Sequence, residues 1–272
     1  MRLAALAAVT AIVAASPTAS GVGFLQAHQL ESGGFAEAGN PAYPQLTAWA
    51  VLGLRATGAN PSGATARYLV QHEPELTSAT GLALVVLAEN ALGQTADRSL
   101  GRLRALQRSS GSVGHLINGT AWSVLAFQAV GVPVQRRTIR WLLARQTRAG
   151  GWGWTAGAAD SNDTATVVEA LRAARVTGRP IRRALQFLLR FRNSDGGFEL
   201  TLGRGSDAQS TAWAVQAFLA ANKAPPRGAL AYLKRLQRAD GSFRYSTRYT
   251  TTPVWVTAQV LPALAGKPFP LH

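Results

Sequence analysis

The sequence predicts an all-α array of six helical hairpins, and three observations carry that expectation. One unit recurs along the chain: an amphipathic segment ending in Gln, a polar turn, two small residues and an aromatic. It reads LQAHQLESGGF at 25–35, LLARQTRAGGW at 142–152 and YLKRLQRADGSF at 232–243. FLLRFRNSDGGF at 187–198 is a further instance, LRALQRSSGSV (103–113) a weaker copy with Val in place of the aromatic, and YLVQHEPEL (68–76) a degenerate one. A second, more apolar segment follows each, usually opening Thr-Ala, from Thr47, Thr80, Thr120, Thr164, Thr211 and Pro253. These starts lie 33 to 47 residues apart, room for two helices and two connections per repeat. The third observation is the period itself. Ala, Leu, Arg and Gln favour helix, apolar positions recur at three- and four-residue spacing, and no strand pattern competes.

Each element has a local cause. Gly-Gly or Asp-Gly ends the Gln-terminated segment, because glycine enters the left-handed region without strain. Thr then opens the next helix, its hydroxyl expected to cap free backbone amides. RATG, QAVG, RVTG and LAAN supply the stop. Ahead of the first repeat, Arg2, the apolar run Leu3–Ala15 and SPTASG have the layout of a signal peptide, with cleavage expected after Ser20. The apolar run is too short to span a bilayer, which takes about 20 residues. The expected organisation is a leader at 1–20, repeats over 21–266 and a tail at 267–272, in a secreted or cell-envelope monomer without a transmembrane anchor.

The chain carries 28 basic and 13 acidic residues, a net charge of +15, and only Lys223, Lys234 and Lys267 are lysines. The charges come singly or in pairs, so an anionic envelope component fits better than nucleic acid. Absence of cysteine excludes disulfides, thiolate nucleophiles and Cys-ligated zinc. His28, His72, His115 and His272 are far apart in sequence, and no phosphate-cradling glycine loop occurs, so neither metal nor cofactor is expected.

Counting from each segment start at 100° per residue, positions +2, +5 and +9 share one face. Position +2 holds Trp49, Leu82, Trp122, Thr166, Trp213 and Trp255; position +5 holds Leu52, Val85, Leu125, Glu169, Gln216 and Ala258. The aromatic faces suit an apolar or cationic ligand, or the filling of space between helices.

These repeats resemble those of the terpenoid cyclase and protein prenyltransferase superfamily, and the Gln-to-aromatic turns are similar to the QW motifs of squalene–hopene cyclases. The resemblance covers residues 24 to 266. It implies an (α/α)6 toroid, with the Thr-Ala segments as inner helices around a central cavity. A ligand cavity would then be lined by Trp49, Trp122, Trp213, Trp255, Thr166, Glu169 and Gln216. DSNDTA at 160–165 is similar to the D-x-D-D-T-A acid motif of the cyclases: Asp160, Asp163, Thr164 and Ala165 agree, and Asn162 stands where the proton donor would be. An amide cannot supply that proton. Asp160, Asp163, Glu169 and Asp207 are the remaining acid candidates, and helix capping accounts equally for Asp160, Asp163 and Asp207.

Three readings follow. The first is an exported toroid that binds an apolar, isoprenoid-like molecule or an envelope partner without catalysis. The second is a terpene or squalene cyclase-like enzyme with a degenerate acid motif. The third is a carbohydrate-active enzyme pairing Asp160 or Asp163 with Asp207, for which inversion needs carboxyls roughly 6.5–9.5 Å apart.

Overall fold

The computed structural model describes residues 16–271; the apolar run of the expected leader lies outside them. Twelve α-helices form two concentric rings among these residues. The inner ring is α2 (Pro44–Ala56), α4 (Ala79–Ala91), α6 (Ile117–Ala129), α8 (Ser161–Ala173), α10 (Ala208–Ala220) and α12 (Pro253–Leu264). The outer ring is α1 (Pro17–Ala27), α3 (Ala64–His72), α5 (Asp97–Ala105), α7 (Arg136–Leu143), α9 (Arg179–Leu189) and α11 (Ala229–Arg235). Each inner helix packs against its two inner neighbours, and α12 meets α2 to close the circle. Each outer helix packs on the inner helix that precedes it, and α1 packs on α12. This is the expected (α/α)6 toroid. None of its helices is long and apolar enough to cross a membrane.

The two threads of the repeat do different work from the one expected of threonine. The inner helices begin before the Thr, so its hydroxyl is no cap. It accepts instead from the backbone N–H of the turn aromatic: Phe35 to Thr47 (3.0 Å), Trp152 to Thr164 (2.9 Å), Phe198 to Thr211 (2.8 Å) and Phe243 to Thr257 (3.0 Å). Those aromatics are fully buried. The Gln of the turn reaches sideways. Gln146 donates to Gly150 O and to Pro180 O at the start of α9, and Gln237 donates to Gly241 O and to Pro17 O at the start of α1. Gly150, at φ 105°, sits where a Cβ would lie 2.7 Å from Arg183 O, so the turn can lie against the next outer helix only with glycine there.

Two registers differ from the sequence expectation. Thr257, not Pro253, is the sixth Thr, which places Gln259 at the level of Trp49 and sets Trp255 a turn nearer the helix start. In α4, Leu82 takes the threonine's level, two residues later than expected, and Thr80 donates across to Asn118 Oδ1. Helix stops also shift at RVTG: α8 ends at Ala173, Arg175 takes the left-handed conformation at φ 62°, and Gly178 caps α9.

The ring takes in residues on both sides of 21–266. The expected cleavage point after Ser20 falls inside α1, whose first turn carries the Pro17 carbonyl bonded by Gln237. The expected tail folds back: Phe269 and Pro270 are buried.

Candidate functional site

The N-termini of the inner helices gather on one face, and most of their first backbone donors are satisfied by the neighbouring repeat. Ile117 N donates to Trp154 O, Ser161 N to Leu200 O and Ala208 N to Tyr245 O. At α12, proline occupies the first position, and Glu37 accepts from Val254 N (3.0 Å) and Trp255 N (2.9 Å). One residue further in, half-buried Gln45, Thr80, Asn118, Asn162 and Gln209 form a polar rim.

Asp160 is the N-cap of α8, its Oδ1 accepting from Asp163 N at 2.8 Å. Asp163 is buried and accepts from Asn118 Nδ2 at 2.7 Å, beside the half-buried Asp160. Burial raises Asp160 first, the nearby Asp163 charge adds to it, and the group reaches about 7. Burial also raises Asp163, opposed by the Asn118 and Asp160 hydrogen bonds. The two carboxyls titrate as a pair: burial favours the protonated form of Asp160, and the Asn118 amide favours charge on Asp163. Asn162 lies beside them on the rim without a titratable group. The Asn118–Asp163 link spans 45 residues and left no trace in the sequence pattern.

Asp207 repeats the cap but not the pair. Its Oδ1 accepts from Ser210 N (2.7 Å) and its Oδ2 from Ser210 Oγ (2.8 Å). Burial raises this carboxyl, with the Ser210 bonds opposing. Both oxygens bond within its own helix, and the side chain is buried.

Below the rim, tryptophans meet on the axis. Trp49, Trp122 and Trp213 come from alternate inner helices, yet their rings lie 5.3 Å (49–122), 5.6 Å (122–213) and 5.9 Å (49–213) apart. Side chains from alternate helices can touch only across the centre of the ring. Trp255 joins at 6.2 Å from Trp49 and stacks on Tyr43. Gln259, which the displaced register had hidden, accepts from Trp213 Nε1 (3.3 Å) and Gln209 Nε2 (2.7 Å), tying the aromatic layer to the rim. Thr166 is fully buried and bonded to Asn162 O.

Deeper still, Glu169 and Gln216 stand at the same level of neighbouring helices, both nearly inaccessible. Burial raises Glu169 to about 8, with only the Phe269 N–H, 2.8 Å from Oε2, opposing. Gln216 Oε1 is buried with no hydrogen-bond partner. The residues expected to line a ligand cavity thus lie at three levels: a polar rim with a carboxyl pair, a tryptophan cluster on the axis, and buried Glu169 and Gln216, the first bonded by Phe269 N–H.

An all-helical toroid with a carboxyl pair at the inner-helix N-termini defines the class. Residues 164–254 match the prenyltransferase alpha-alpha toroid domain. Drimenyl diphosphate synthase from Streptomyces showdoensis is 32% identical over 187 residues, 65% of this chain and 35% of that enzyme; the chain thus spans about a third of its relative's length. The type II terpene cyclase MstE from Scytonema, solved as a variant with its substrate geranylgeranyl dihydroxybenzoate, superposes with TM-score 0.69 at 15% identity over 92% of this chain and 96% of that one. A glycosidase variant in complex with glucose superposes with TM-score 0.65 at 12% identity over 93% of this chain and 97% of that one. The toroid family model thus matches one stretch of the ring, residues 164–254, and type II terpene cyclases are among the chain's structural neighbours.

Proposed function

We propose that the protein is a terpene-cyclase-like enzyme acting on an isoprenoid, in which the Asp160–Asp163 pair supplies the initiating proton that residue 162 cannot. The observation that carries this reading is buried Asp163, bonded by Asn118 and set beside the cap Asp160, whose carboxyl burial pushes up to about 7. Initiation by protonation needs an acid kept neutral near working pH, and burial beside a second carboxyl does that. The Asp160 O–H proton would pass to an alkene carbon, the π electrons forming the new C–H bond. The cation left behind faces the half-exposed ring of Trp213, whose quadrupole attracts positive charge. Loss of a proton from the cyclised cation ends the reaction. The 32% identity to a drimenyl diphosphate synthase supports an isoprenoid substrate.

Binding without catalysis is the second reading, favoured by one observation: Asp160 Oδ1 is already engaged as a helix cap. The carbohydrate reading is weaker, because Asp207 is buried and serves as the cap of α10. Incubation with farnesyl diphosphate, geranylgeranyl diphosphate and squalene, followed by mass spectrometry of the extract, separates the first two. The expected result is a cyclic product whose formation falls by about 100-fold or more in Asp163→Asn. Uptake of an isoprenoid with no product from any of the three contradicts the catalytic reading.

Export and an anionic envelope partner belong to the same proposal. Large side chains stand exposed in the loops that lead into inner helices, Trp154, Leu202 and Tyr249 among them, on the face where the mouth lies. The processed chain is expected to keep α1 whole, since Pro17 O serves the ring. Sequencing of the mature N-terminus checks this; a start at Gly21 speaks against it.

A further inference from the structure

The arginines are not spread evenly around the ring. Twelve of the 28 basic residues lie between positions 131 and 194, and the three acids in that stretch, Asp160, Asp163 and Glu169, cap or belong to inner helix α8. Outer helices α7 and α9 therefore carry arginine with no acid. Arg136, Arg137 and Arg140 stand exposed on α7, and Arg179, Arg182 and Arg190 on α9 or at its end. None of the six forms an ion pair among the described residues. The two helices adjoin: Gln146 in the turn after α7 donates to Pro180 O of α9 (2.9 Å), and Arg183 of α9 donates back to Arg148 O (2.6 Å).

This arrangement works against the helices that carry it. A cation stabilises a helix at its C-terminus and opposes the dipole in the first turn. Outer helix α5 follows the rule, opening with Asp97 and ending with Arg102 and Arg104. In contrast, α7 opens with Arg136 and Arg137 and α9 with Arg179, and neither first turn holds an acid. Arg136 with Arg140, and Arg179 with Arg183, are like charges four residues apart, a spacing at which they repel. A local rule broken on two adjoining helices, with no compensating contact inside the chain, marks a surface whose counter-charge comes from outside. We propose that the outer wall formed by α7 and α9 binds a linear, phosphate-bearing polymer of the cell envelope. Guanidinium groups pair bidentately with phosphate oxygens, and arginine supplies every cation on this wall. A bilayer fits less well, because among the described residues Leu189 is the one large apolar side chain these helices expose. Nucleic acid fits less well too, because neither helix exposes a ring for base stacking and both lie flat on the inner helices instead of projecting into a groove.

The inference deepens the envelope partnership proposed above and rests on it for the choice of polymer, but not on catalysis. The probe is long-chain inorganic polyphosphate, its binding to the full chain measured by calorimetry over a series of salt concentrations. Binding should weaken steeply as salt rises. Arg136→Glu combined with Arg179→Glu should weaken it by about tenfold or more and flatten the salt dependence, because two phosphate contacts are lost. The same two changes should raise the melting temperature of the free protein, since each puts an acid in a helix first turn. Arg104→Glu with Lys234→Glu alters the net charge equally, on α5 and α11, and should weaken binding by less than about threefold. Equal loss in the two double variants overturns the proposal, since net charge alone then accounts for binding. So does absence of binding, or tighter binding per phosphate to duplex DNA or to phosphatidylglycerol vesicles. Formation of cyclic product from an isoprenoid should be unchanged in the α7–α9 double variant, and the mature N-terminus tests export by itself. Failure of the surface and failure of the functional reading are thereby told apart.

Discussion

Asp160 and Glu169 are acids whose protonated forms burial favours, and that leaves a mark on stability as well as on chemistry. A carboxyl whose folded value lies above its unfolded one binds its proton more tightly when folded. Stability is then greatest below the unfolded value and falls as pH rises toward the folded one. For Glu169 the window runs from about 4.5 to about 8, and for Asp160 from about 3.8 to about 7. Each such group contributes a slope approaching 1.4 kcal/mol per pH unit inside its window. Chemical denaturation between pH 5 and 8 should show stability declining, and Glu169→Gln should flatten the decline while stabilising the protein at pH 8. A wild-type curve rising across this range would contradict the burial of these groups. Activity should also fall as pH climbs through about 7, as Asp160 loses its proton. Arg175 is a third case: exposed and left-handed at φ 62°, it bears a strain that Arg175→Gly should relieve by up to about 1 kcal/mol in a denaturant melt.

Among the helices and turns, the repeat was legible and its mechanics were not. The Gln-to-aromatic turns and Thr-Ala starts were enough to place six hairpins, because small residues, aromatics and glycines recur at fixed stations. Hydroxyl roles were lost, since a Thr that caps and a Thr that accepts from the preceding turn look identical in sequence. Thr164→Val tests the difference. It keeps the shape, leaves the buried Trp152 N–H without its acceptor and should cost about 1–3 kcal/mol. Loss of a mere surface cap would cost less. Helical periodicity identified the face that carries Trp49, Trp122 and Trp213, but a period reports direction and not distance. Whether such a face borders an opening or meets its counterparts on the axis depends on ring radius. In α12 the Pro253 start displaced the count by four, which promoted Trp255 and concealed Gln259. Asp160, Asn162 and Asp163 were found by motif alone; their partner Asn118 was not, because nothing local ties residues 45 apart.

The whole molecule depends on joining its two ends, and the join is concentrated at α1, α2 and α12. Glu37 caps α12, Gln237 holds α1, and Gly53 lets α2 approach so closely that a Cβ there would lie 2.7 Å from Ala258 O and 3.0 Å from its Cα. Gly53→Ala should force the two helices apart and destabilise the protein by about 1–3 kcal/mol, seen as a lower melting temperature. A toroid closed this way carries a tryptophan cluster on its axis, with a carboxyl pair on one side and Phe269 on the other. Whether the Asp160–Asp163 pair initiates isoprenoid cyclisation despite Asn162 is decided by product analysis of the purified protein with farnesyl diphosphate, geranylgeranyl diphosphate and squalene. A cyclic product is expected from the wild-type chain, lost in Asp163→Asn and increased in Asn162→Asp. No cyclic product from the wild-type protein with any of the three would contradict it.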